Sequence, residues 1–170
     1  MSKDLEIERK FLVKFPDICK LDVKRKIGIV QTYLTNGENH SQRRVRRIDE
    51  NGRISYTYTE KIFLDPAVRE ENEYGITKQE YDKLLSERKE GTPIRKIRYC
   101  FDYHDQLFEL DTYPFSDKFA IMELELEDLK QEIDFPDNVY VLKDVTGDSK
   151  YSNSALANAG EFPESVTITS

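Results

Sequence analysis

The stretch Leu5-Glu6-Ile7-Glu8-Arg9-Lys10-Phe11-Leu12-Val13 decides how the rest of the chain is read. Residues two apart on a β-strand share one face. Glu6, Glu8 and Lys10 therefore fall on one side, and Ile7, Phe11 and Val13 on the other. The same device returns in Arg44-x-Arg46, Thr59-x-Lys61, Lys96-x-Arg98, Glu109-x-Asp111 and Glu123-x-Glu125, each within a stretch rich in β-branched, aromatic or alternating residues. Alternation by itself is the ordinary pattern of an antiparallel sheet with one wet face. The sorting of signs is not. Five of the six motifs pair like charges, and only Thr59-x-Lys61 does not. Like charges about 7 Å apart repel by ~0.6 kcal/mol in bulk water and by roughly 2.4 kcal/mol at an effective dielectric of 20. A chain that accepts this repeatedly holds something that neutralises both kinds of stripe. A polyanion on the basic strands and divalent cations on the acidic ones would do so together.

The 170 residues (20.0 kDa) predict one domain with a real core, running from about residue 4 to 156, with a loose tail over 161–170. A formal net charge of −7 argues against nucleic acid as a general partner, though not against a small phosphate ligand whose contacts are local. Cys19 and Cys100 lie far apart in no metal-ligand spacing and read as free thiols in a reducing compartment. No apolar leader follows Met1 and no run reaches the ~20 residues needed to cross a bilayer. The expected location is cytoplasmic, with no membrane partner. His40 and His104 are the only histidines, which excludes a His-rich zinc site.

Strand signals cover about 4–14, 42–49, 53–64, 95–103, 106–113, 119–127 and 139–146, with Gln31–Leu34 extended and Asp49-Glu50-Asn51-Gly52 as a hairpin turn. The segment from Pro16 to Ile29 is read as helical at best. The one well-marked helix is expected from Lys78 to Glu90, with a Thr77/Glu80 capping box, an Ile76/Tyr81 staple and Gly91 as the stop. A second short helix is expected at Ser154–Ala159 before Gly160. Antiparallel strands with a charged face that must not simply face solvent predict a closed or nearly closed barrel, ionic inside and apolar outside. The outward apolar positions Ile7, Phe11 and Val13 then need cover, for which a homodimer is one means and the helix another. Arg9, Arg43 and Arg47 fall on the outward face. Glu71 and Glu73 precede the helix and read as solvated.

Taken in order, Glu6-x-Glu8-x-Lys10, Gln31-x-Tyr33-Leu34, Arg44-Val45-Arg46, Thr59-x-Lys61, Lys96-x-Arg98-Tyr99, Glu109-Leu110-Asp111 and Glu123-Leu124-Glu125-Leu126 resemble the motif series of the CYTH superfamily, the triphosphate tunnel metalloenzymes. The later Val145-Thr146-Gly147-Asp148-x-x-Tyr151-x-Asn153 is similar to the C-terminal signature of its short bacterial members. The resemblance implies a mainly β fold, an eight-stranded antiparallel β-barrel forming a tunnel, and hydrolysis of triphosphates with Mg²⁺ or Mn²⁺. It implies Glu6, Glu8, Glu123 and Glu125 as metal ligands, with Asp111 as an addition. Lys10, Arg44, Arg46, Lys61, Lys96 and Arg98 would bind phosphate, with Lys10 and Lys96 at the reacting phosphoryl group. The chemistry agrees: hard cations take carboxylate and phosphate oxygens, and Arg forks and Lys point charges suit phosphate. The expected reaction is in-line attack by water on a terminal phosphorus without a covalent intermediate, one metal bridging the phosphates and a second activating the water. Inorganic triphosphate is the expected substrate. Thiamine triphosphatase, class IV adenylyl cyclase and a non-catalytic polyphosphate or nucleotide sensor are the alternatives.

Overall fold

A computed structural model describes residues 4–163. Its strands are β1 (Asp4–Lys14), β2 (Val23–Tyr33), β3 (Gln42–Glu50), β4 (Arg53–Phe63), β5 (Val68–Ile76), β6 (Ile94–Tyr103), β7 (Gln106–Thr112), β8 (Phe119–Leu126) and β9 (Val141–Asp144). Two helices, α1 (Lys78–Leu84) and α2 (Asn153–Ala159), flank them. The sheet runs β5-β4-β3-β2-β6-β7-β8-β1, and β1 pairs back onto β5, so eight antiparallel strands close into a barrel. Closure rests on the N-terminal half of β1, with Glu6 opposite Arg69 and Ile7 opposite Val68. The C-terminal half of the same edge takes β9 as an extra strand. Closing the barrel removes the unpaired edges that an open sheet exposes.

The β3–β4 turn follows its sequence signal. Asn51 (φ 56°) and Gly52 (φ 79°) both have positive φ, as a two-residue turn matched to strand twist requires. Two sequence expectations need correction. The segment read as helical from Pro16 holds only a single 3₁₀ turn at Ile18–Lys20, and β2 begins at Val23. In that strand Ile27 and Ile29 lie on the same face as Arg98 and Lys96, their partners across β2–β6, so tertiary pairing sets its conformation. The main helix ends at Leu84, followed by a 3₁₀ turn over Leu85–Glu87, well short of Glu90. Pairing of Arg88 with Leu34, and a hydrogen bond from Lys89 N–H to the Tyr33 carbonyl (2.9 Å), pull the chain back to the sheet. The capping box at Thr77 and Glu80 is formed as expected. Helix α2 spans nearly the residues expected, capped by Ser152 and ended by Gly160 in the left-handed region.

The inner face is not charged along its whole length. Lys10 opposes Glu123 across β1–β8, and two residues further along the same face Leu12 opposes Ile121. These two join Ile94, Tyr113, Val145, Tyr151 and Leu156 in a buried cluster. Ile27, Ile29, Cys100 and the half-buried Ile48 form a second apolar cluster on the inner face. A band of ionic side chains lies between these two clusters, which limits how much charge must be solvated. Outside, Phe11 and Val13 pack with Leu21, Met122, Leu124 and Val139, with Ile7 and Ile133 against the same cluster. The ring of Phe135 meets Phe11 edge-on at 5.0 Å. The outward face of β1 is thus covered by the chain's own segments around Ile18–Leu21 and Ile133–Val139, not by α1. Helix α1 instead packs Tyr81 on Val45 and Leu34.

Phe162 packs on Tyr113, Phe115 and Phe119, so the expected loose tail does not begin at residue 161, and 164–170 lie outside the described residues. Among the described residues no helix is long and apolar enough to cross a membrane, and Cys19 and Cys100 form no disulfide.

Candidate active site

The ionic band lines a cavity of about 530 Å³. Its walls are sorted around the ring. Strands β7, β8 and β1, neighbours in the sheet, contribute Glu109, Glu123, Glu125, Glu6 and Glu8. Strands β3, β4 and β6 contribute Arg44, Arg46, Lys61 and Arg98, and β5 carries both signs in Arg69, Glu71 and Glu73. The register makes the sorting: Glu8 faces Glu125, and Glu109 faces Glu123. Nine carboxylates and six cationic side chains line the cavity. With all ionised it is net negative, so added cations favour the entry of a polyanion onto the basic wall.

The basic wall is anchored from behind. Asp111, fully buried, accepts from Lys96 Nζ (2.7 Å) and from Arg98 Nε (2.8 Å) and Nη2 (3.0 Å). Arg98 also reaches Glu109 (2.9 Å) and, at 3.7 Å, Glu123. Burial pushes Lys96 down to about 8, against the pull of Asp111. Burial would raise the Asp111 carboxyl, but Arg98 and Lys96 outweigh it and hold it well below the usual carboxylate range. The three therefore stay ionised near neutrality as one buried cluster. Neither Lys96 nor Asp111 reaches the cavity wall; Arg98 is the member of the cluster that does.

Arg46 donates from Nε to Gln31 Oε1 (2.7 Å), and Gln31 Nε2 donates to Tyr33 Oη (2.7 Å). This chain fixes a buried guanidinium and presents Tyr33 to the cavity. Burial and the neighbouring Arg44 and Arg98 bring Arg46 down to about 9. Lys61 lies 3.6 Å from Glu71, and burial beside Arg44 and Arg69 lowers it to about 7.

Other groups are left open. Arg44 Nε is buried with no hydrogen-bond partner, and among the described residues Lys10 Nζ and the Glu125 carboxylate make no ion pair. Burial, then Glu6 and Glu8, raise the Glu125 carboxyl. Burial raises that of Glu109 over the pull of Arg98, with Glu123 adding to the rise. Carboxyls raised in this way at Glu109 and Glu125 fit added cations, and a buried guanidinium with a free donor fits an added anion.

The structure brings nine of the eleven sequence-selected site residues to the cavity wall. The expected placement of Lys96 at the reacting phosphoryl group and of Asp111 as a metal ligand is corrected, because the two are buried behind the wall and paired with each other. The sequence reading of Glu71 and Glu73 as solvated residues before the helix is corrected: both belong to β5 and line the cavity. Thr59 Oγ1 donates to Glu73 (3.0 Å). Arg69, on the same strand, went unselected. The signal was present, since Arg69, Glu71 and Glu73 repeat the two-residue spacing of the other motifs. Arg9 and Arg43 do face outward, paired with Asp144 and Glu87. Asp148 caps the 3₁₀ turn Ser149–Tyr151 and also lines the cavity.

A closed eight-stranded barrel with a charge-sorted interior defines a class, and sequence comparison states which. The CYTH domain model matches residues 4–142, and the chain belongs to the CYTH family. An inorganic triphosphatase of Acetivibrio thermocellus is 31% identical over 154 residues, 89% of this chain and 92% of that protein. The solved structure of the inorganic triphosphatase NE1496 is 32% identical, covers 89% of this chain and 93% of its own, and superposes with a TM-score of 0.53. The PH1819 protein of Pyrococcus horikoshii, at 20% identity and a TM-score of 0.56 over 73% of this chain and 80% of its own, shares the fold.

Proposed function

We propose that the protein is a divalent-metal-dependent triphosphatase acting on inorganic triphosphate. The observation that carries this reading is the sorted cavity, with Arg44 and Lys10 open to an anion, Glu125 open to a cation and Glu123 held by one 3.7 Å contact to Arg98. The relatives named inorganic triphosphatases support the choice of substrate. Glu6, Glu8, Glu123 and Glu125 would hold Mg²⁺ or Mn²⁺. Bound there, such an ion supplies charge neutralisation and polarises phosphoryl oxygens.

The chain's own residues position the substrate. Arg44, Arg46 and Lys61 hold the phosphates along the basic wall, Arg46 fixed by Gln31. Arg98 meets the reacting end with its guanidinium locked on Asp111, so Lys96 and Asp111 act through it as positioning residues. Lys10, opposite Glu123 in register, neutralises charge at the terminal phosphoryl group. Water attacks that phosphorus in line; the new P–O bond forms as the bond to the bridging oxygen breaks, giving phosphate and diphosphate. The free thiols Cys19 and Cys100 fit a cytoplasmic setting.

The test is phosphate release from inorganic triphosphate with Mg²⁺, with Mn²⁺ and with chelator, beside the Glu123→Gln protein. Metal-dependent release that the variant loses is the expected outcome. No release in either metal, or normal release by the variant at limiting metal, overturns the reading. Thiamine triphosphate and ATP assayed in parallel rank the substrates.

A further inference from the structure

Arg69 stands where a cation is called for. Its Nη2 is 3.0 Å from Glu6 Oε1 and 2.6 Å from Glu8 Oε1, so one nitrogen bridges two carboxylates that share a face of β1. Its side chain is 13% exposed and belongs to the cavity wall, and its Nε is buried without a partner. The register fixes this arrangement, because Glu6 and Arg69 are directly opposed across the seam that closes the barrel. A guanidinium between two carboxylates and a divalent ion on the same carboxylates cannot occupy one space. Their like charges repel in a half-buried setting where screening is weak.

We infer that Arg69 is a resident counter-cation that holds Glu6 and Glu8 in the free protein and must leave them before a divalent metal can bind there. This rests on the proposed reading of Glu6 and Glu8 as metal-holding residues. Burying two like carboxylates side by side without a cation is costly, and Arg69 removes that cost in the ligand-free barrel. It also makes the free protein a poor binder of bare metal. A phosphate entering the cavity offers the guanidinium, with its unpartnered Nε, another anion. Metal and triphosphate then bind with positive coupling, each helping the other by the same factor.

The test reads metal binding without turnover. Mn²⁺ alone is titrated into the metal-stripped full chain by calorimetry or by the EPR signal of free Mn²⁺, for wild type, R69Q and R69Q/E8Q. R69Q is expected to bind Mn²⁺ about tenfold more tightly than wild type, within the usual range of coupling between sites, and R69Q/E8Q to lose that gain. Equal or weaker binding by R69Q overturns the inference, as does a gain that survives loss of Glu8. A merely structural role for Arg69 predicts weaker binding, not tighter.

If R69Q does not fold in chelator, Mn²⁺ is expected to restore the wild-type circular dichroism spectrum, and failure to do so counts against the inference equally. A methylene-bridged triphosphate analogue is expected to tighten Mn²⁺ binding more in wild type than in R69Q, and equal tightening removes the coupling. Absence of triphosphate hydrolysis in the wild type would sink the proposed function and leave these titrations to stand on their own.

Discussion

Lys61 shows how the interior tunes a single group. Burial and the nearby Arg44 and Arg69 guanidiniums bring it down to about 7, from 10.5 in the unfolded chain. Between about 7 and 10.5 the unfolded chain binds more protons at this site, so its contribution to stability rises with pH through that window. Binding a polyanion reverses the preference, because the charged ammonium gains a partner. Triphosphate bound in chelator at pH 8 is therefore expected to take up a proton, and affinity to fall as pH rises above about 7. Calorimetry in buffers of different ionisation enthalpy measures this directly. Wild type without proton uptake, or a Lys61→Met protein that keeps it, would refute the assignment.

Asp111 is the opposite case, a group whose charge is already matched. Asp111→Asn leaves the buried Lys96 without its ion-pair partner and Arg98 with Glu109 and the longer Glu123 contact alone, and breaking such clusters costs about 3–5 kcal/mol. Glu123→Gln, whose one ion pair among the described residues is a 3.7 Å contact to Arg98, is expected to cost less than Asp111→Asn, because it removes a charge held by a single long contact, while abolishing turnover. Urea denaturation of the two proteins side by side distinguishes an ion-pair anchor from an open ligand. Equal losses would contradict this division of roles.

At the scale of elements, most of the barrel could be read from the chain and two strands could not, for different reasons. β1, β3, β4, β6, β7 and β8 alternate charged and apolar residues, so one period gave both the strand and its inner face. β5 has polar residues on both faces: Arg69, Glu71 and Glu73 inward, with Glu70 and Asn72 between them. Composition of that kind carries a weak strand signal, and pairing with β4 and β1 creates the strand. β2 begins with Val-Lys-Arg-Lys, which reads equally well as helix, and its register with β3 and β6 decides the matter. The site inherited this pattern. Most charged cavity residues on the legible strands were found, Glu109 on β7 being passed over for its buried neighbour Asp111, while those on β5, including Arg69, were missed. The capping box of α1 was legible because it depends only on residues close in sequence. Thr77→Ala is expected to cost about 1 kcal/mol and to leave triphosphate affinity unchanged, since α1 packs on the outer face. A change in affinity would mean that the helix communicates with the lumen, contrary to the packing seen.

The whole molecule is a ring whose closure joins residues more than sixty positions apart, Glu6 to Arg69. Folding such a topology requires non-local pairing before the reward of closure, and part of that reward comes from ion pairs around an interior that carries more acid than base. The native barrel is consequently less stable empty than filled, because a ligand that satisfies both walls adds contacts across the ring. Triphosphate at about a hundred times its dissociation constant would stabilise the fold by about 2.7 kcal/mol. For a domain of this size that corresponds to a rise in Tm of about 5–10 °C. The measurement belongs in chelator, where no turnover depletes the ligand and the basic wall acts alone. Wild type is expected to show the shift, and Arg44→Ala, which removes the one buried guanidinium with an unpartnered Nε on β3, to show less than half of it at the same concentration. If both melt unchanged with triphosphate, the basic arc does not bind phosphate at all. If both shift equally, Arg44 is not among the residues that do, and the anion sits elsewhere in the ring.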